Sequence, residues 1–392
     1  MEYNFSRIID RKGSNSSKWD NNKNVFGRDD ILPMWVADSD WPTAPVIVEA
    51  MRKRLEHGIF GYTFPGKELN EVIVKWVKRR YKWDIKADWI VYTNGVVNSL
   101  NIAIKSWTHP GDDVIVQTPV YYPFFTSIKN NGCNILNNVL IYDNGKYIID
   151  FEDLELKLKD AEKRIKLLIL CNPHNPVSRV WTEEEQKRLG ELSLKYNVLV
   201  ISDEIHADFI FKGYQHIPFA SISSDFARNS ITFMAPSKTF NIAGLSTSFA
   251  IISDSYLRKE FMDMKAGILN EGNIFGLTAM KAAYENGEDW LEAQLDYLEG
   301  NKDFAIKYIN EEIPQIKVAK IEGTYLLWLD FRALKLAQKD LNEMFLNVAR
   351  LGLDFGDWFG PGGEGFARFN LAAPRSIIED GLQRIKKMVN KI

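Results

Sequence analysis

The stretch Ile231–Ser246, "ITFMAPSKTFNIAGLS", decides how the chain is read. A short run of branched and aromatic residues ends near Ala235, and Lys238 follows at once, ahead of a loop of small residues. The run has the length and composition of a buried strand. A lysine at a strand end is most often a solvated charge. Whether Lys238 is more than that depends on what stands at the other strand ends.

Five similar runs accompany it: "WIVYT" from Trp89, "DVIVQ" from Asp113, "LLILC" from Leu167, "VLVIS" from Val198 and "FAIIS" from Phe249. Each is short and bounded by Gly, Pro, Asn or Asp. Between them lie helical patterns, such as Val96, Leu100, Ala103 and Trp107, or Leu189, Leu192 and Tyr196, spaced by three and four. Strands alternating with helices predict a mostly parallel sheet covered on both faces. After about Asn286 the texture changes to long charged helical patterns, the strands "YLLWLD" and "FARFNLA", and a last helix on which Ile378, Leu382, Ile385, Val389 and Ile392 share a face. A second, α+β domain is expected there. The polar stretch "RKGSNSSKWDNNKN" from Arg11 reads as a loosely held arm.

Composition removes several function classes. The 392 residues are 45% hydrophobic and 12% aromatic, enough for a large globular body. With 49 basic against 52 acidic residues and a formal charge of −3, no footprint for nucleic acid or an anionic membrane is visible. Cys133 and Cys171 suggest neither a disulfide framework nor a zinc site. The first residues lack a long apolar segment, and no run approaches the roughly 18 apolar residues of a membrane span. The expectation is a cytoplasmic protein. Metal hydrolysis is poorly supported, since His109, His174, His206 and His216 form no i, i+4 pair around a glutamate.

Ligands of open α/β sheets bind beyond the carboxyl ends of the strands. "WIVYT" leads to Gly95 and a helix whose first N–H groups, on Val96 and Val97, lack partners, which suits an anion as well as an ordinary tight turn. "LLILC" leads to "NPHNP", presenting Asn172 and Asn175. "VLVIS" leads to Asp203, Glu204 and His206, one of which equally suits a helix cap. "ITFMA" leads to Ser237 and Lys238. A phosphate cradle, an amide donor, a carboxylate and a lysine, without a P-loop or a G-x-G-x-x-G turn, are the equipment for pyridoxal phosphate.

The ordered motifs "PMWVADSDW", "GYTFPG", "TPVYYPF", "CNPHNPVSRVW", "SDEIHADF", "PSKTFNIAGLS" and "FARFNLAAPRS" resemble the fold-type I pyridoxal-phosphate enzymes of the aspartate-aminotransferase superfamily, and among them the MalY/PatB-type cystathionine β-lyases. The resemblance covers nearly the whole chain. It implies an N-terminal segment 1–45 packing with the small domain, a large cofactor domain 46–286 with a mostly parallel seven-stranded sheet, and a small α+β domain 287–392. By the same resemblance Lys238 is the Schiff-base lysine, Asp203 partners the ring nitrogen, Asn175 and His206 stand near the ring oxygen, Tyr121 stacks on the ring, and Val96, Val97 and Ser237 bind phosphate. Arg368 would clamp the substrate carboxylate, with Ala37 completing that site, and Tyr62 would reach the cofactor of the neighbouring subunit in a homodimer. The chain departs from the wider superfamily at Ser246, where many members carry a phosphate-binding arginine, and at His206, where many carry a tyrosine.

The implied reaction is α,β-elimination from L-cystathionine or a related cysteine S-conjugate, giving a thiol such as homocysteine, pyruvate and ammonia. The alternatives are an aminotransferase built from the same residues and a regulatory protein that keeps the cofactor. No sequence feature identifies a protein partner for the last.

Overall fold

The computed structural model describes residues 3–392. In chain order its strands are β1 (Leu32–Pro33), β2 (Ile90–Thr93), β3 (Asp113–Thr118), β4 (Asn134–Val139), β5 (Ile141–Asp143), β6 (Lys146–Ile148), β7 (Ile165–Cys171), β8 (Leu199–Asp203), β9 (Ser230–Met234), β10 (Ser248–Ile251), β11 (Lys317–Val318), β12 (Leu326–Asp330), β13 (Leu351–Gly352), β14 (Asp354–Phe355) and β15 (Phe366–Asn370). All six apolar runs read from the sequence lie in one seven-stranded sheet of order β2-β10-β9-β8-β7-β3-β4. From β9 through β8, β7 and β3 to β4 the pairs are parallel. β10 is antiparallel to both β2 and β9.

Every residue of β8 and β9 is buried, the condition in which a strand covered on both faces loses polar alternation and becomes a continuous apolar run. The seventh strand, β4, gave no such signal. Its sequence "NILNNV" carries Asn134, Asn137 and Asn138 and is largely half-exposed, because an edge strand needs cover on one face alone.

The parallel core brings the ends of β3, β7, β8 and β9 to one edge. A second sheet, order β11-β12-β15-β14, is antiparallel. Near it run the helices Glu288–Glu312 and Arg375–Val389. Ile378, Leu382, Ile385 and Val389 are buried along the last helix as their spacing predicts, but Ile392 lies past its end and is exposed. Among the described residues no helix is long and apolar enough to cross a membrane.

The expected loose arm is a correction. Lys18 is fully buried and its ammonium pairs with Asp40 at 2.6 Å. Arg11 bridges Asp38 at 2.6 Å and Asp40 at 2.7 Å, and the indole N–H of Trp19 donates to Asp40 at 2.9 Å. The polarity that suggested solvent is consumed by two aspartates of "VADSD". β1 then pairs in parallel with β13, tying this region to the C-terminal part of the chain. Stranding a buried charge costs about 3 kcal/mol or more, but Asp40 keeps Arg11 and Trp19 when Lys18 is removed. Lys18→Ala is therefore expected to lower unfolding free energy in urea by about 1–2 kcal/mol, and Lys18→Ala with Arg11→Ala by about 3 kcal/mol or more.

Candidate active site

Asp203 closes β8, and Lys238 follows β9, its parallel neighbour, in the short helix Pro236–Thr239. Both line a cavity of about 310 Å³. Its wall also includes Ala37, Val96, Val97, Tyr121, Asn175 and His206, together with Ser237, Ser246, Thr247 and Arg368. Residues scattered over more than 300 positions thus meet at the carboxyl edge of the sheet. Tyr62 is not among them. It is fully exposed and lines a separate surface groove of about 1130 Å³ with Arg54, Phe64 and Leu277.

The amine of Lys238 donates to the carbonyl of Ala37 at 2.7 Å, and the hydroxyl of Tyr325 donates to the same oxygen at 2.9 Å. Burial pushes Lys238 down to about 8; Asp38 resists that shift, Arg368 adds to it, and Asp203 resists it again. Its helix is fixed from behind. Thr239 donates to Asp208 at 2.8 Å, Asp208 also accepts from Tyr81 at 2.6 Å, and Gln294 donates to the Thr239 carbonyl at 2.9 Å.

Asp203 is buried, and that burial pushes its carboxyl up to about 7 against the N–H of Ile205 at 3.1 Å and the charge of Lys238. Among the described residues no cation pairs with it. It is a carboxylate placed where a cationic ligand atom would hold it ionised. The neighbouring Glu204 is spoken for, accepting from Ser202 at 2.8 Å and Phe219 N–H at 3.0 Å and lying 2.9 Å from His216. Of the three polar residues in "DEIH", Glu204 therefore serves the interior. His206 is held neutral by burial and by the charges of Lys238 and Arg368. Its Nδ1 has no partner, and its ring meets Tyr325 edge to face, 5.6 Å between centroids.

The helix Val96–Trp107 starts at Gly95, whose φ of 111° suits glycine and whose N–H donates to Ser248 at 2.9 Å. No side chain caps this helix, so the N–H groups of its first turn remain available for an anion. The hydroxyls of Ser237, Ser246 and Thr247 line the same cavity. Ser246 supplies a neutral hydroxyl where an arginine would have brought charge.

Arg368, on β15, donates to the Asn175 side-chain oxygen at 2.9 Å and to the Trp35 carbonyl at 2.7 Å, and it forms an ion pair with Asp354. The last partner was missed in the sequence. Asp354 sits on the two-residue strand β14 and faces Arg368 across the β14–β15 ladder. A lone acid in the apolar run "LGLDF" was the one available signal.

Residues 34–385 match the family described as aminotransferase class I and II. The chain belongs to that family. It is 44% identical over 384 residues to cystathionine beta-lyase PatB of Bacillus subtilis (strain 168), covering 98% of this chain and 99% of the relative. A PLP-bound putative aminotransferase from Clostridium difficile 630 superposes with a TM-score of 0.97 at 48% identity, covering 99% of this chain and all of that one. Cystalysin from Treponema denticola, which contains pyridoxal 5'-phosphate (PLP), superposes with a TM-score of 0.96 at 40% identity over the full length of both chains. Within the aminotransferase family the chain is of the PatB/MalY type, as its motifs implied.

In this family member the two buried acids carry a pH signature. Asp203 and Asp354, raised to about 7 and about 6 by burial, hold protons in the folded chain that the unfolded chain releases near pH 4. Stability of the ligand-free protein therefore falls as pH rises from about 4 to about 7. Asp203→Asn should give a Tm equal to wild type at pH 4.5 and roughly 5 °C higher at pH 8, as read by scanning calorimetry.

Proposed function

We propose that the chain is a PLP-dependent carbon–sulfur β-lyase acting on L-cystathionine or related cysteine S-conjugates. The observation that carries the reading is Lys238, an amine pushed to about 8 in a cavity that also holds a buried, unpaired Asp203. The names of PatB and of cystalysin's bound cofactor support it.

The residues fit the cofactor. The open first turn of Val96–Trp107, with Ser237, Ser246 and Thr247, suits the phosphate. Asp203 suits a protonated ring nitrogen, and its raised pKa is what such a partner would reverse. Tyr121, half-buried at the cavity wall, offers a ring face. Asn175 spends its side-chain oxygen on Arg368, which leaves its NH2 to donate toward a ring oxygen. When bound, PLP supplies a covalent carbonyl for Lys238 and then the substrate amine, and an electron sink for charge developing at Cα.

The protein groups divide the remaining work. Lys238, poised near neutrality, takes the proton from substrate Cα and can return one to the sulfur leaving from Cβ. Burial keeps the free amine from being trapped as a solvated cation, while the Ala37 carbonyl fixes where the amine sits. Asp203, ionised by such a cationic partner, would hold a proton on the ring nitrogen. Arg368 orients the substrate carboxylate, a task for a planar fork. The thiol, with a reference pKa of about 8.5, leaves readily. Pyruvate and ammonia follow on hydrolysis.

We infer also that residues 1–45, 46–286 and 287–392 act as the arm, cofactor and small domains. The protein is inferred to be a homodimer in which Tyr62 reaches the partner's cofactor. The exposure of Ile59, Phe60, Tyr62 and Phe64 on one short stretch supports this, since that much apolar surface is unfavourable in water.

With L-cystathionine the protein is expected to release homocysteine, pyruvate and ammonia in equal amounts without added oxo acid. Stalling after one turnover with no thiol released, and resumption when an oxo acid is supplied, would establish the aminotransferase reading instead. Asp203→Asn should lose about two orders of magnitude in rate with cofactor still bound, since stranding the ring charge costs about 3 kcal/mol. Borohydride reduction and peptide mapping should place the cofactor on Lys238.

A further inference from the structure

The guanidinium of Arg368 is the expected seat of the substrate carboxylate, yet its fork is already engaged. One terminal nitrogen donates to Asn175, the other to both the Trp35 carbonyl and Asp354. Nε, which is buried without an acceptor, and one N–H of the nitrogen that serves Asn175 are unused, but each parallel pair of the fork includes a hydrogen already given to Trp35 or Asp354. Asp354 is itself wholly buried, and its second oxygen, Oδ1, has no partner either. A bidentate carboxylate needs two parallel N–H groups, so an incoming one must share or displace an existing partner. It would also place two carboxylates against one guanidinium where Arg368 and Asp354 are both buried, and like charges at a buried site are strongly unfavourable.

We propose that Asp354 determines the charge the pocket accepts: it neutralises Arg368 while no ligand is bound, and it takes up one proton from solvent when a substrate carboxylate seats on the guanidinium. The inference rests on Arg368 being the carboxylate site, as proposed above. Protonation turns an orphaned acceptor into a hydroxyl donor and leaves one negative charge facing one positive charge. The balance is simple: a carboxylate enters, a proton follows it onto an Asp354 oxygen, and no other bond is made or broken. The charged and titratable groups that face Asp354 are Arg368 from β15, Lys238 from the helix Pro236–Thr239, and Tyr121 and Tyr122 from the turn before Pro123–Asn130. Arg368 and Lys238 favour its ionised form, whereas burial is the largest influence and favours the protonated one, leaving it at about 6. Above that value the free pocket has lost the proton it needs, so affinity for a monocarboxylate falls by about tenfold per pH unit.

The test uses the holoenzyme and 3-(methylthio)propionate, which carries a carboxylate and a thioether sulfur but no amine to react with the cofactor. Calorimetric titration at pH 7.5 in two buffers of different ionisation enthalpy counts protons, and the visible absorbance counts separately any taken up at the cofactor. The expected result is close to one proton per site beyond the cofactor's own, with a Kd that rises about tenfold between pH 7 and pH 8. Asp354→Asn should take up no such proton, bind with a Kd independent of pH, and bind at pH 8 about tenfold or more tighter than wild type. Arg368→Gln separates the two levels of the reading. If it binds the probe as well as wild type does, the carboxylate is not held at Arg368 and the parent assignment fails. If it loses binding while the wild type takes up no extra proton and shows a flat Kd, the assignment stands and the role of Asp354 is overturned. The wild-type proton count decides the matter even where Asp354→Asn does not fold.

Discussion

The hydrogen bond from Lys238 to the carbonyl of Ala37 is the contact on which the rest of the site depends. An amine taken out of water must be offered an acceptor, or its burial becomes prohibitively unfavourable. Here the acceptor belongs to a loop from a distant part of the chain, and that loop must itself be held. Asn370 donates to the carbonyls of Val36 at 2.7 Å and Asp38 at 2.8 Å, and Asn241 donates to those of Ser39 at 3.0 Å and Trp41 at 2.8 Å. The buried Lys18–Asp40 pair closes the outer side. Strand β15, the segment after Lys238 and the N-terminal arm therefore converge on one short stretch of backbone.

Burial bears on the protonation of four groups inside. It lowers Lys238 and His206 and raises Asp203 and Asp354, so each of these four is moved toward its neutral form before its neighbours act on it. Charge then returns where a ligand completes a pair. This is how a site can hold an amine near 8 and an acid near 7 in one cavity without either being committed in advance.

What the sequence disclosed and what it hid follow from the same geometry. Asp203, Asn175 and Lys238 were legible because each directly follows a run of buried branched residues, and a parallel sheet collects such positions on one edge. Arg368 and Tyr121 needed the family resemblance, since nothing in "FARFN" or "PVYY" marks them by spacing. Asp354 was hidden because its partner is 14 residues away on a neighbouring strand and its own strand is too short to show alternation. The pairing of Arg11 and Lys18 with Asp38 and Asp40 spans more than 20 residues, so a polar, glycine-containing stretch read as loose when its charges are internal. Strand β4 escaped for the opposite reason, since half of its surface faces water and its asparagines imitate a loop.

The placing of Asp203 at the end of β8 and of Lys238 in the short helix just after β9, its parallel neighbour, has a consequence for how such a protein changes. Their separation is set by main-chain pairing between β8 and β9, which no side-chain replacement at the cavity rim alters. The walls that meet a substrate come from elsewhere: the turn at Tyr121 and the β14–β15 ladder. Reactive core and selective rim are thus mechanically separate parts. A lineage, or a designer, can rework the rim in search of new thioethers while the distance between acid and amine stays where the sheet put it.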